Sequence, residues 1–456
     1  MRYLQYIKFS KARIVNLLIL IAVVYNMFNI HYWTHSQRVI YNDVISYYAY
    51  LPATVIYKDL SLDFINDSSD YFSDKFWPLK TPDGRNVIKM SMGLSFLYAP
   101  FFVMGHIVAN LSGYPADGFS LPYKLFLNLS AVFYLALGLY FLRKVLEKYF
   151  PQNIVTITLI ATVLGTNLYF YSAIESTMPH VYLFALFSAF IYLTVKWYEN
   201  PNMENAIIIG LLGGFITLIR PTDIILSVLF FLWDVKSAEE LKQRFLFYVN
   251  NPQFIIAMAL CFIVIWIPQL AYWKFAAGHW FYYSYNDEGF NFLHPHIIDG
   301  LFSFRKGWLL YTPIMALAIF GLVLSFKRVK TIFYPSLIFL ILNIYIITSW
   351  WCWWYGGSFG GRPFIDSYPI MALSLAVFVK WTLTRKKIVK LISHTIIIFL
   401  ILLNIFQTWQ YYGGDIHHDA MTGKAYRELF FNPFPGNTYK QYLDHPDYDR
   451  ARKRYR

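Results

Sequence analysis

The sequence predicts an all-α polytopic integral membrane protein with about eleven transmembrane helices, an interfacial or re-entrant segment and a long first extracytoplasmic loop. Three observations predict it. Of 456 residues, 57% are hydrophobic and only 14% charged, with 42 Phe and 38 Tyr, far from the composition of an average soluble domain. Apolar runs of about spanning length recur along the whole chain. The Lys and Arg residues behind the net charge of +13 sit in short clusters between those runs, where orientation in a membrane and anionic headgroups explain them better than nucleic acid does. Cys261 in an apolar run and Cys352 in an aromatic cluster give no disulfide framework.

The first run, Ile14 to Ile30, follows Arg2, Lys8, Lys11 and Arg13, which puts the N-terminus in the cytoplasm. It is too long for a signal sequence and lacks a small-residue cleavage site, so it reads as a retained anchor. Residues 31–89 form the first outer loop. In it Val44, Tyr47, Tyr48, Leu51, Val55 and Ile56 stand at helical spacing, predicting an interfacial helix that holds Asp43 at membrane height. The stretch 58–85 reads either as a folded cap or as a solvated loop.

Further apolar runs lie near 90–111, 122–142, 152–172, 180–198, 204–219, 221–233, 254–273, 307–326, 331–348, 364–383 and 391–408. If 90–111 crosses, the clusters Arg143/Lys144/Lys148, Lys236/Lys242/Arg244, Lys327/Arg328/Lys330 and Arg385–Lys387 all fall outside, against the positive-inside rule. Laying 90–111 along or into the outer interface returns each to the cytoplasm and leaves eleven crossings. Gly93, Pro100, Gly105 and His106 make that segment suited to a non-spanning position. The transmembrane domain then covers 1–408, with outer loops at 274–306 and 349–363, and 409–456 is an extracytoplasmic tail. The basic end of that tail, Arg450 to Arg456, is the one cluster this topology leaves outside.

Under this topology Asp43, Lys89, Glu175, His180, Arg220, Asp223, His279, Asp287, Glu288, His294, His296, Arg305, Lys306, Arg362 and Asp366 fall at or near the outer surface. Charges at membrane depth are costly and pair or line a cavity, so one shared cavity accounts for many of them. The competing account for each is a helix end or a headgroup contact. Arg220 in Leu218-Ile219-Arg220-Pro221-Thr222-Asp223 joins two short apolar runs, and guanidinium geometry suits a bidentate phosphate contact; a local pair with Asp223 is the alternative. Glu175 and His180 flank a turn and, with Asp43, offer oxygen and nitrogen ligands to a divalent cation, although phosphate or sugar contacts, or helix-end roles, serve equally. His294-Pro295-His296 near Asp287 and Glu288 lacks a further zinc ligand at recognisable spacing and reads better as acceptor or sugar binding. Arg305 and Lys306 precede a span and pair with phosphate or headgroups. Trp350, Trp351, Trp353, Trp354 and Tyr355, followed by glycines and Arg362, exceed an aromatic belt and suit stacking on sugar faces with close backbone approach.

Two of these segments carry a resemblance. Tyr41-Asn42-Asp43-Val44-Ile45-Ser46-Tyr47-Tyr48, an acid followed by paired tyrosines just beyond the first span, resembles the start of the first outer loop in membrane glycosyltransferases of the GT-C superfamily. Ile88-Lys89-Met90-Ser91-Met92-Gly93 resembles the short lysine-containing motif of lipid A aminoarabinose transferases and protein O-mannosyltransferases, without the acid before it and the two prolines after it. Arg220 and Arg362 stand in segments similar to those of bacterial members. The resemblance covers the layout of most of 1–385 and implies an inverting glycosyltransferase with Asp43 as general base and Lys89 on the donor phosphate.

An outward-facing site has no nucleotide supply, and the chain carries no Rossmann or Walker signature. The expected donor is therefore a polyprenyl-phosphate-linked sugar whose phosphate meets Arg220, Arg362 and Lys89, with a glycan, lipid or protein acceptor on the outer face of the cytoplasmic membrane. No cofactor is required by these residues, and a divalent metal stays open as an addition. The alternatives are an O-antigen-type polymerase or ligase, and a transporter or flippase of lipid-linked sugars, which the lack of paired repeats disfavours.

Overall fold

Apolar sequence in a hydrocarbon environment must close its own backbone hydrogen bonds, and helices do so within one segment. The computed structural model describes residues 10–35 and 38–455; Arg2, Lys8 and Arg456, used above for topology, lie outside the described residues. Helix α1 (Lys11–Ile30) ends at His31, which takes a left-handed conformation with φ 55°. The first loop then folds as short helices α2 (Asp43–Tyr48), α3 (Tyr50–Val55) and α4 (Ser69–Phe72) and a two-stranded antiparallel hairpin, β1 (Leu79–Lys80) with β2 (Asn86–Val87). Tyr57 stacks on Phe64 with ring centres 4.3 Å apart and meets Phe72 edge-on at 5.3 Å, so the segment is a folded cap with its own aromatic core.

The body of the protein follows as α5 (Gly93–Ser112), α6 (Leu121–Tyr149), α7 (Gln152–Leu164), α8 (Leu168–Ala173), α9 (Pro179–Glu199), α10 (Met203–Ile219), α11 (Ser227–Leu232), α12 (Ala238–Asn250) and α13 (Pro252–Ala277). After a loop come α14 (Ile297–Phe302), α15 (Trp308–Tyr311), α16 (Ile314–Arg328), α17 (Lys330–Ser349), α18 (Tyr368–Leu383) and α19 (Lys387–Tyr412), and the tail carries α20 (Gly423–Leu429) and α21 (Tyr448–Tyr455).

The expectation of eleven spans is corrected. Among the described residues, eight helices are long and apolar enough to cross a membrane: Lys11–Thr34, Gly93–Ser112, Leu121–Tyr149, Pro179–Glu199, Pro252–Ala277, Lys330–Ser349, Arg362–Leu383 and Lys387–Tyr412. The other apolar runs are broken. Gly165-Thr166-Asn167 separates α7 from α8, and Arg220-Pro221 ends the 17-residue α10 before a 3-10 turn over Pro221–Leu226. Pro313, without an N–H to donate, separates α15 from α16.

Close helix contacts order the bundle. Phe184 and Ala185 of α9 pack on Gly138 of α6, while Lys148 pairs with Glu199 at the far ends of the same two helices, so α6 and α9 run parallel. The backbone of Met258 crosses Gly210, and Phe262 and Ile265 cover Gly214, making α10 and α13 parallel as well. Small residues permit such approach in apolar bundles. As α10 returns directly after α9, its C-terminal end lies beside the N-terminal ends of α9 and α6. This end carries the first-loop cap and the tail.

The opposite end gathers the basic clusters. Arg244 lies over the Tyr198 ring at 3.7 Å, Lys380 lies 5.8 Å from the Phe150 ring, and Arg143 pairs with Glu147 at 2.8 Å. Helix α5 behaves differently from its neighbours. Its Gly93 touches Leu218 and Ile219 at the end of α10, and its Gly105 touches Pro122 and Tyr123 at the start of α6. Both contacts are at the cap end, so α5 does not reach the basic end.

Candidate functional site

Asp43 is presented by a turn that few residues tolerate. Val39 has φ 75° and Asn42 φ 49°, left-handed conformations that cost a β-branched residue most. Thr177 Oγ1 donates to the Val39 carbonyl at 2.6 Å and holds this turn against the α8–α9 connection. The chain then enters α2, whose Val44, Ile45, Tyr47 and Tyr48 are buried, leaving Asp43 at the first helical position with its side chain 39% exposed.

Arg362 reaches Asp43 from the far end of the sequence. Its Nη2 donates to Asp43 Oδ2 at 2.8 Å, a charge-assisted contact between residues 319 apart. Arg220 pairs with Asp366 Oδ2, and His180 Nδ1 lies 3.3 Å from Asp366 Oδ1. Lys89 Nζ meets Glu288 Oε1 at 2.6 Å and lies 5.2 Å from the centre of the Tyr285 ring. Apart from the buried Asp366, these groups line one cavity of about 380 Å³ at the cap end, together with Tyr47, Asp223, Trp350, Trp351, Tyr355 and Tyr448.

Among the described residues, three that line the cavity carry a buried polar atom with no protein partner: Asp223 Oδ2, Asn343 Nδ2 and Trp351 Nε1. Such atoms are costly unless something supplies the missing hydrogen bond. An acceptor and two donors of this kind fit a polyhydroxylated ligand. Tyr355, with φ 55°, and Gly356, with φ 64°, turn the chain sharply beside the cavity. The glycines let the segment between Tyr355 and Arg362 turn this sharply, with Gly356 and Gly360 both at positive φ.

Of the expected site residues, Asp43, Lys89, His180, Arg220, Tyr355 and Arg362 converge on this cavity. Four do not. Glu175 is turned toward Tyr41, and burial pushes its carboxyl up, against a hydrogen bond with Tyr41 and the charges of Arg362, Arg38 and Lys306. Arg305 donates to the Asp419 carbonyl at 2.5 Å and pairs with Asp444 at 3.1 Å, so it ties down the tail. Trp353 and Trp354 line a separate groove with His296, Asp447 and Arg450, and Trp351 lines both that groove and the cavity. The cation site sketched from Asp43, Glu175 and His180 is also not formed, since the ligand-atom group found among the described residues is His417, His418 and Asp419.

Sequence reasoning missed the roles of Tyr285, Asn343 and Tyr448. Tyr448 lies in the tail and carried no signal; Asn343 was legible as a lone amide inside the apolar run of α17. No family model matches the chain, and no curated protein matches it.

Proposed function

We propose that the protein is an inverting glycosyltransferase of the GT-C type that moves a sugar from a polyprenyl phosphate to a glycan, lipid or protein acceptor on the outer face of the cytoplasmic membrane. The observation that carries this reading is the Asp43–Arg362 contact at a cavity that Arg220 and Lys89 also line. An anion-binding set beside a partly open carboxylate is what transfer from a phosphate leaving group needs. The non-crossing course of α5 agrees with a re-entrant first segment.

In this mechanism the acceptor O–H or N–H approaches Asp43, whose Oδ1 takes the proton as the new bond to the anomeric carbon forms. The bond from that carbon to the phosphate oxygen breaks on the opposite face, and the phosphate leaves with the electron pair. Arg362 and Arg220 stabilise the charge that grows there. Each guanidinium has five N–H groups, so the contacts to Asp43 and Asp366 position the arginines while leaving donors for phosphate. Asp223 Oδ2 and Asn343 Nδ2 bind sugar hydroxyls. An apolar groove of about 370 Å³ between α9, α10, α11 and α13 meets the cavity at Asp223 and accommodates the start of the lipid tail.

The test is release of free polyprenyl phosphate from a panel of lipid-linked sugars in proteoliposomes. Asp43→Asn should lower turnover about 10²- to 10⁴-fold, and Arg362→Gln about 10²- to 10³-fold, at unchanged protein yield and monodispersity. Equal turnover in wild type and Asp43→Asn would remove Asp43 as base. Absence of release with every donor would favour the polymerase or transporter alternative.

A further inference from the structure

The tail holds a second constellation, remote in sequence from everything used above. His417, His418 and Asp419 each bring a ligand atom within 4.8 Å of the other two. His417 Nδ1 lies 3.3 Å and His418 Nε2 lies 3.5 Å from Asp419 Oδ1. Ligands at about 2.0–2.1 Å from a tetrahedral zinc ion stand about 3.3–3.4 Å apart, so both separations are those of ligands around one ion.

Asp419 supplies the independent observation. Its side chain is only 10% exposed, and among the described residues its Oδ1 has no hydrogen-bond donor. Oδ2 accepts from Tyr448 Oη at 2.9 Å. The nearest nitrogen does not relieve Oδ1: His417 Nδ1 accepts from the backbone N–H of Ala420 at 3.1 Å and of Asp419 at 3.3 Å, so Nδ1 carries a lone pair and no proton. A buried carboxylate oxygen therefore faces an acceptor nitrogen at 3.3 Å. Two lone pairs opposed in this way call for a cation between them.

We propose that His417, His418 and Asp419 form a structural site for a divalent transition metal of the zinc type. Imidazole nitrogen with carboxylate oxygen suits zinc rather than calcium or magnesium. The fourth position falls to water or to His445, whose ring centre is 5.0 Å from that of His417. Metal binding takes over the Nδ1 lone pair from the two long N–H contacts. Tyr448, on the second oxygen of Asp419, orients that ligand as outer-shell partners do and also lines the main cavity. The backbone N–H of Ser358 donates to the His418 carbonyl at 3.2 Å, and the His418 ring packs against Gly357. The metal thus fastens the tail to the segment that carries Tyr355 and Arg362. It is separate from the proposed transfer chemistry and independent of whether that chemistry is right.

The experiment uses the full chain in detergent with a histidine-free purification tag. After EDTA treatment and its removal, the wild type should take up one equivalent of zinc with about micromolar affinity or tighter, and its melting temperature should rise as zinc is added. Cobalt(II) should give the intense visible absorption of a tetrahedral centre. His418→Ala and Asp419→Asn should each weaken zinc binding at least about tenfold and abolish the cobalt spectrum. Asp419→Glu, which keeps a carboxylate, should retain part of both and guards against simple unfolding. Wild type without stoichiometric zinc, or variants that bind it equally well, would overturn the site and leave a protonated His418 as the partner of Asp419.

Discussion

Arg362 and Lys306 show how differently two cations can be held at one end of this protein. Arg362 keeps its charge through a carboxylate partner, Asp43. Lys306 is buried, with its amine on the Ser358 carbonyl, and burial pushes it down to about 7 from 10.5. In the unfolded chain the amine holds its proton up to about 10.5, whereas in the fold it holds it only below about 7. Between these values the unfolded state binds one proton more, so stability rises with pH by up to about 1.4 kcal/mol per unit. Below pH 7 the full cost is present. Thermal unfolding in detergent across pH 7 to 10 should therefore show rising stability in the wild type and a flatter profile in Lys306→Met. Parallel profiles would mean that the amine stays charged in the fold.

At the scale of elements, α5 is the segment whose composition and placement disagree. It is long and apolar enough to cross a membrane, yet Gly93 and Gly105 bring it against the cap-end termini of α10 and α6. A Cβ on Gly93 would stand 2.6 Å from the backbone at Leu218 and Ile219, immediately before Arg220. Gly93→Ala should destabilise the protein by about 1–3 kcal/mol through forced separation, lowering the melting temperature. Gly213→Ala, whose added Cβ meets only side chains at 3.9 Å, should be tolerated. Similar melting of both variants would show that α5 is not clamped to α10. Length and apolarity report what a helix can do in lipid, while the neighbours that reach its glycines report where it goes.

For the whole molecule the governing feature is the separation of charge. The basic clusters between the helices occupy one end of the bundle, and the cavity, the cap and the tail with its own basic end occupy the other. Single cysteines in a background lacking Cys261 and Cys352 can read this with an impermeant reagent. Tyr114→Cys, just after α5, and Asn437→Cys in the tail should label from one side, and Lys386→Cys from the other. Tyr114→Cys labelling with Lys386→Cys would establish that α5 crosses.

By itself the sequence determined the all-helical membrane class, the segregation of the basic clusters and the gathering of Asp43, Lys89, His180, Arg220 and Arg362 at one end. Those follow from hydropathy and charge, which act residue by residue along the chain. Tertiary structure alone decided the rest. It replaced eleven expected spans by eight helices of crossing length, because Gly165 and Pro313 interrupt runs that composition reads as continuous and the helices on either side of Arg220 are too short to cross. It paired Arg362 with Asp43 and Arg220 with Asp366, separated Trp353, Trp354 and Arg305 from the cavity, and brought Tyr448 and the His417–Asp419 group onto the glycine-rich wall. Pairings across such separations depend on how helices pack, and packing is set by close contacts that local pattern does not record.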